Sequence, residues 1–272
     1  MSNIYAITTR SAQYVGLSIA AFVSVFPFIW MLLGATNTSP DIIRGKISPG
    51  GALVENVMKF AAQVDLPRVM FNSLFIAGVG AILTLIVASL AGYGFEMFRS
   101  RVRERIFGVL LLMLSIPFAA LMIPLFIMMA NFKLINTYQA VILPTVASIF
   151  IIFYFRQATK AFPRELRDAA RIDGLKEWQI FLHVYMPVMR STYAAAMIIA
   201  FMASWNNYLW PLIVLQTNDM FTLTLAVAAL NAGYTPDFGV IMVGAIVATL
   251  PTLIIFFLLQ RRFVEGMLGA VK

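Results

Sequence analysis

Residues 71–95 read FNSLFIAGVGAILTLIVASLAGYGF, a run with no Asp, Glu, Lys, Arg or His. A helix needs about 20 apolar residues to cross the hydrocarbon core of a bilayer, so this stretch predicts a membrane span. Five further runs of the same character flank it: Tyr14–Ala35, Ile106–Ala130, Tyr138–Phe155, Thr192–Leu215 and Phe238–Leu259. None alternates apolar with polar residues, as the strands of a membrane β-barrel do. The sequence therefore predicts an all-α polytopic membrane protein with six transmembrane helices, a single domain over residues 1–272. Composition agrees, with 61% of residues hydrophobic and 12% charged, about half the charged share of soluble domains. The first run is longer than the apolar core of a secretory signal and lacks a small-x-small site before Thr36, so it is read as a retained span.

The chain has no Cys and a single histidine, His183. Disulfides, thiol nucleophiles and Cys-ligated metals are excluded, and a metal centre or catalytic role is not expected. The net charge of +8 gains meaning from its placement. Six spans put both termini on one side, together with Arg10, the cluster Arg99, Arg101, Arg103 and Arg105, seven cations between Arg156 and Arg190, and Arg261, Arg262 and Lys272. The other side holds Arg44, Lys46, Lys59, Arg68 and Lys133. The positive-inside rule then predicts cytoplasmic termini in a bacterial-type cytoplasmic membrane. Topology and attraction to anionic lipid explain the basicity without nucleic acid.

None of the six runs contains an ionisable side chain. Ion-driven carriers generally keep such groups at membrane depth, although sodium is also held by carbonyls and hydroxyls. No G-x-x-x-x-G-K-[ST] phosphate loop is present, since Gly45-Lys46 continues with Ile47. Any ATP, with its Mg, would have to be bound and hydrolysed by another chain.

Between the fourth and fifth runs lies a polar segment, residues 160–187, whose core reads ELRDAARIDGLKEWQIFLHVYMPV from Glu165 to Val188. Pro163 suits a helix start. Leu166, Ala169, Ala170 and Ile172 form a narrow apolar stripe flanked by Arg164, Glu165, Arg167, Asp168 and Arg171. Gly174 is the residue best able to adopt the left-handed conformation that ends a helix. A second amphipathic helix follows, with Trp178, Phe181, Leu182 and Tyr185 as its apolar members, and runs through Pro187 into the fifth span. Such a helix–turn–helix either lies flat in the headgroup layer or docks on another protein, for which its mixed charges are suited.

The spacing Asp168-Ala169-Ala170, three residues, Gly174, nine residues, Val184-Tyr185-Met186-Pro187 resembles the E-A-A, three, G, nine, I-x-L-P signature of the permease subunits of binding-protein-dependent ABC importers. Asp, Val and Met replace Glu, Ile and Leu. Trp205-Asn206-Asn207-Tyr208-Leu209-Trp210-Pro211 and Gln260-Arg261-Arg262-Phe263-Val264-Glu265-Gly266 resemble the carbohydrate branch, in particular the maltose-transporter-like second permease. The resemblance implies that this loop is the coupling helix seated in a partner ATPase, with Glu165, Asp168, Ala169, Ala170, Asp173, Gly174 and Pro187 at that junction. It further implies a homologous second permease, two ATPase subunits and an extracytoplasmic solute-binding protein, moving a di- or oligosaccharide. The alternatives are an ATP-independent carrier or channel, a membrane scaffold, or an importer of an anionic solute such as glycerol phosphate.

The candidate substrate pathway is the stretch Trp205, Asn206, Asn207 and Tyr208. Amides can pair with hydroxyls and aromatic rings can stack on a pyranose. Aromatics also belong at membrane interfaces and Asn joins helices. Neighbours on a helix point about 100° apart, so at most one Asn is expected to face a central path. Pro117, Pro124, Pro144, Pro211 and Pro251 permit kinks. Gly78, Gly80, Ala88, Gly92 and Gly94 are read as close helix packing. In the segment 36–68, Leu53, Val54, Val57, Phe60 and Ala61 predict a short amphipathic helix. That segment and the outer loop Gln216–Asp237 are the candidate contacts for a solute-binding protein.

Overall fold

The computed structural model describes the backbone of residues 2–232 and 235–269, and side chains from 13 onward except Leu259 and those beyond Gln260. The side chains of Arg10, Arg261, Arg262 and the rest of the QRRFVEG stretch after Gln260 lie outside this description, and Lys272, Gly233 and Tyr234 lie outside the described residues. Among the described residues the protein is helical, with no strand. Three helices are long and apolar enough to cross a membrane: Gln13–Ala35 within α1 (Ser2–Ala35), α4 (Leu66–Met97), and Phe238–Leu258 within α15 (Phe238–Gly269). Three bent pairs bring the number of spans up to six.

The bends depart from the continuous spans expected. The third run divides into α5 (Arg101–Met113) and α6 (Phe118–Asn131), 102° apart, with Pro117 capping the second helix. The fourth divides into α7 (Tyr138–Val146) and α8 (Ile149–Thr159) with a 40° bend. The fifth ends early: α12 (Arg190–Trp205) stops before Asn206, and α13 (Leu209–Val214) restarts after a non-helical break. Proline contributes at Pro117 and Pro144, because it removes an i→i−4 hydrogen bond and leaves a carbonyl to be satisfied elsewhere, whereas Pro124 and Pro251 lie inside unbroken helices. Pro144 frees the carbonyl of Ala140, and the buried Trp210 donates its Nε1–H to that oxygen at 2.8 Å.

The chain forms two compact units. In the first, residues 1–65 and 227–250, α3 (Leu53–Gln63) buries Asn56 and Phe60, while Leu53, Val54 and Val57 stay exposed. The amphipathic helix is present, but the face it packs inward carries a polar anchor. Asn56 donates to the carbonyls of Ala35 and Asn37 at 2.9 and 3.0 Å, satisfying the orphan end of α1. A Cβ at Gly239 would lie 2.5 Å from Asn56 Nδ2, so only glycine fits against this anchor. Asp237 caps α15, accepting from Gly239 N at 3.1 Å and from the Ser39 hydroxyl at 2.8 Å. Burial raises the Asp237 carboxyl, but Ser39, the Val240 amide and Lys59 outweigh it and hold it below the usual range.

The second unit, residues 66–226 and 251–272, is built around α4, against which α7, α8 and α12 pack. Its inward face is a ladder of small residues, including Ala77, Ala81, Thr84, Ala88 and Gly92, which lets backbones approach closely. Gly92 is the tightest point: a Cβ there would sit 2.6 Å from Phe155 Cβ and 2.8 Å from Arg156 N. Gly78 and Gly94 meet nothing within 4 Å, so their expected packing role is absent within this chain. Gly92→Val is expected to push α8 off α4 and destabilise the chain by about 1–3 kcal/mol, read as a lowered Tm in detergent, whereas Gly94→Ala leaves it unchanged. The segment Gln216–Asp237 also holds an unexpected apolar helix, α14 (Leu223–Ala229), too short to register as a span. Its start is fixed by Leu223 N–H donating to Ser73 Oγ at 2.7 Å.

Candidate functional site

The polar segment after α8 folds as a knob on the end of α4. Pro163 is the N-cap of α9 (Arg164–Ile172). Gly174 takes φ +82; its N–H donates to Arg171 O and that of Leu175 to Ala170 O, each at 3.0 Å. These paired bonds are a Schellman turn, whose left-handed position favours glycine. The chain then winds through α10 (Glu177–Ile180), a π-helical turn over Phe181–Tyr185 and α11 (Met186–Val188). Pro187 lies in α11, next to the 82° bend into α12 at Met189.

A cluster of four aromatic rings holds this knob to α4. Tyr93 packs on Phe181 and Tyr185 with centroids 5.3 and 4.8 Å apart, and Phe162 closes on Tyr185. The buried Tyr185 hydroxyl meets Thr159 Oγ1 at 2.6 Å. Trp178 and Leu182, expected on the packed face, are exposed instead, and Ile180, Phe181 and Tyr185 are buried.

Ion pairs brace the knob internally, and one hydrogen bond from Tyr93 ties them to α4. Glu177 accepts from Arg167 Nη2 at 3.0 Å, from Arg167 Nε at 3.2 Å, from Arg171 Nε at 2.7 Å and from the Tyr93 hydroxyl at 3.2 Å. Burial alone would raise its carboxyl; the two guanidiniums win and lower it from the ordinary 4.5. A depressed folded pKa contributes stability above the unfolded value and loses it as pH falls through the folded one. Hydrogen exchange of residues 164–180, corrected for intrinsic rates, is therefore expected to be constant from pH 8 to about 5 and to accelerate below about 4.5. Glu177→Gln removes that pH dependence.

A second cluster is more deeply buried. Glu96, at the end of α4, is 2% exposed and faces Arg156 Nε at 3.7 Å, Arg164 Nη2 at 3.7 Å and Arg99. Arg156 also pairs with Glu104 at 2.5 Å and lies 3.9 Å over the Phe107 ring. The cluster joins α4, α5, α8 and the first residue of α9.

The outward face of the knob carries Glu165, Leu166, Asp168, Ala169, Ile172, Asp173 and Gly174, all exposed, while Ala170 is buried against the body. Ile172 is 87% exposed at the tip of an otherwise polar loop. Residue types of this kind, apolar and ringed by charge, form docking surfaces.

Nearer the middle of the unit is a cleft of about 490 Å³, walled by α4, α6, the α7–α8 break and the end of α12. Thr84, Thr145, Ser148, Ser204 and Asn207 supply its polar lining, and Phe118 and Phe150 two rings. Among the described residues no charged side chain lines it. Of the four pathway candidates, Asn207 lines the cleft. Trp205 is buried and Asn206 and Tyr208 are exposed outside the lining.

Residues 80–269, which hold both knob and cleft, match the model of the binding-protein-dependent transport system inner membrane component family. The chain belongs to this family. It is 64% identical to the lactose transport system permease protein LacG of Rhizobium radiobacter, over 96% of this chain and 95% of that protein. It is 37% identical to the arabinooligosaccharides transport system permease protein AraQ of Halalkalibacterium halodurans, over 95% of each. Its fold is similar to a chain in the crystal structure of a bacterial ABC transporter involved in the import of the acidic polysaccharide alginate, with TM-score 0.80 and 19% identity over 96% and 97% of the two chains.

In this inner membrane transport component, sequence reasoning overlooked Tyr93, Glu96, Arg156 and Glu177. A signal was available for two of them. Glu96 and Arg156 each directly follow an apolar run, at ends that an even number of crossings places on the same side. Opposite charges at adjacent span ends are natural partners, since each is costly to bury alone.

Proposed function

We propose that this chain is the permease subunit of an ATP-driven importer of an uncharged carbohydrate, a disaccharide of the lactose type being the leading substrate. The similarity to lactose and arabinooligosaccharide permeases supports the substrate class. The exposed Ile172 at the tip of a rigidly held polar loop carries the mechanism. In this reading a cytoplasmic ATPase, one of two, binds ATP and Mg and receives the knob in a cleft, with Leu166, Ala169 and Ile172 as apolar contacts and Glu165, Asp168 and Asp173 as polar ones. The termini and the knob face the cytoplasm, as the distribution of Lys and Arg supports. A second permease completes the pathway, and a solute-binding protein delivers sugar from the other face.

The chain itself transmits rather than catalyses. ATP binding shifts the inward- and outward-facing states only through contacts that differ between them, and taking such an equilibrium from 1:99 to 99:1 needs about 5.5 kcal/mol. The Tyr93 ring contacts, its hydrogen bond to Glu177 and the Glu96 ion pairs are rigid connections through which motion of the knob reaches α4, α5 and α8. The Glu96 cluster lies at the knob end with its charges mutually paired, apart from the cleft, and so fits a structural strut better than an ion-binding site.

Purification of the tagged chain from its native membrane tests the proposal. Co-purification of an ATPase whose turnover rises with binding protein plus lactose is the expected result. Recovery of the chain alone, or an ATPase indifferent to every neutral sugar, would overturn it.

A further inference from the structure

Two interrupted helices meet at one place. The α7–α8 break at Ala147 and Ser148 and the α12–α13 break at Asn206–Tyr208 both border the 490 Å³ cleft, through Pro144, Thr145 and Ser148 on one side and Ser204 and Asn207 on the other. Non-helical backbone within a membrane bundle persists only where it is buried in protein or lines a polar cavity. Here the structure secures each break with specific partners. Trp210 Nε1 caps the carbonyl that Pro144 frees, Thr224 Oγ1 donates to Trp205 O at 2.9 Å, and Asn207 Oδ1 accepts from Trp210 N at 3.4 Å. Discontinuous helices of this sort form the substrate sites of other transporters.

The wall chemistry narrows the ligand. Thr84 is buried and its hydroxyl donates to Thr145 O at 3.4 Å, joining α4 to α7 in the cleft wall. Ser148 caps α8 and Thr145 caps its own turn, leaving each hydroxyl a further lone pair. Gly80 opens the wall: a Cβ there would rest 3.7 Å from Ser204 Oγ in ordinary contact, so its bareness widens the cleft. Hydroxyls and one carboxamide, two aromatic rings and no charge match the hydroxyl edges and C–H face of a neutral sugar. A carboxylate or phosphate would find no counter-charge there.

We infer that this cleft is a direct sugar-contact site contributed by this subunit, with Thr84, Ser148, Ser204 and Asn207 as the hydrogen-bonding groups. Trp210 serves as the strut that holds the two breaks together. The inference rests on the importer reading above and assigns a residue set different from the WNNY stretch, of which it keeps Asn207 alone.

The absence of cysteine from the chain gives a direct test in the complete importer. Single variants Ser204→Cys, Thr84→Cys and, as an off-cleft control, Asn206→Cys are reconstituted with their partner subunits. Each is labelled with a small methanethiosulfonate during ATP-driven turnover, with and without saturating lactose, and modification is read by mass on this chain. Lactose is expected to slow labelling of Ser204→Cys and Thr84→Cys about tenfold and to leave Asn206→Cys unchanged. Gly80→Val, which narrows the cleft, is expected to lower uptake about tenfold while binding-protein-stimulated ATP hydrolysis persists. Equal labelling with and without lactose, in a complex that imports lactose, would overturn the assignment while sparing the importer reading. A wild-type complex that imports no neutral sugar would overturn both.

Discussion

Gly174→Val is expected to abolish uptake while leaving the chain inserted in the membrane. The residue sits at φ +82, where a Cβ meets the following carbonyl and costs about 1–2 kcal/mol, more for a β-branched side chain. Nothing lies within 4 Å of a Cβ at this position, so the penalty is conformational rather than steric. Relief requires the turn to rotate out of the left-handed region, which breaks the Gly174 and Leu175 bonds to Arg171 and Ala170 and re-aims α9. The surface formed by Glu165, Asp168 and Ile172 is then turned away from its docking direction. Blue-native electrophoresis is the check: the variant chain is expected at normal abundance but without its ATPase. Gly174→Asn, which tolerates this conformation better, is expected to recover much of the assembly.

The second large effect is expected at Arg156. Removing one partner of a buried ion pair leaves the other charge uncompensated, at about 3–5 kcal/mol. Arg156→Ala strands Glu96, which is 2% exposed, and also removes the guanidinium from the Phe107 ring and from Glu104. Arg99 and Arg164 remain close to Glu96, so the loss is expected toward the lower end of that range. It appears as reduced yield and a lower Tm of the chain in detergent. Combining Arg156→Met with Glu96→Gln is expected to restore stability, because replacing both charges avoids the stranded one. If the paired variant is stable yet its ATP hydrolysis no longer drives uptake, the cluster also transmits force. Equal coupling in the two proteins confines it to a structural role.

The spans were legible in the sequence because hydropathy is an average over about 20 residues and tolerates local detail. The knob was legible because its determinants are local: Pro163 before α9, Gly174 after it and an amphipathic stripe between. What the sequence hid depends on contacts made at long range. The fifth run looks continuous from Thr192 to Leu215, yet it breaks at Asn206 because Thr224 supplies a donor for the Trp205 carbonyl and Asn207 an acceptor for the Trp210 amide. The burial of Ile180 and the exposure of Trp178 and Leu182 depend on which face packs on Tyr93 through Phe181 and Tyr185, and no residue pattern marks that choice. Glu96 lay one residue beyond an apolar run and read as a flanking charge, whereas α4 extends through it to Met97 and buries it under Arg156. The cleft was legible only at Asn207, since Thr84, Ser148 and Ser204 look like ordinary small polar residues in apolar helices.

Site-directed crosslinking from the knob tests the central claim most directly. Ala169→Cys and Ile172→Cys, introduced singly into this cysteine-free chain, are treated with a short heterobifunctional reagent that joins a thiol to an amine in native membranes, with and without ATP. The expected result is one product at the combined mass of this chain and the ATPase, at a yield that changes when ATP is added, with Asn206→Cys giving none. Crosslinks confined to lipid, or an ATPase product of equal yield from all three positions, would contradict a knob that docks on the ATPase.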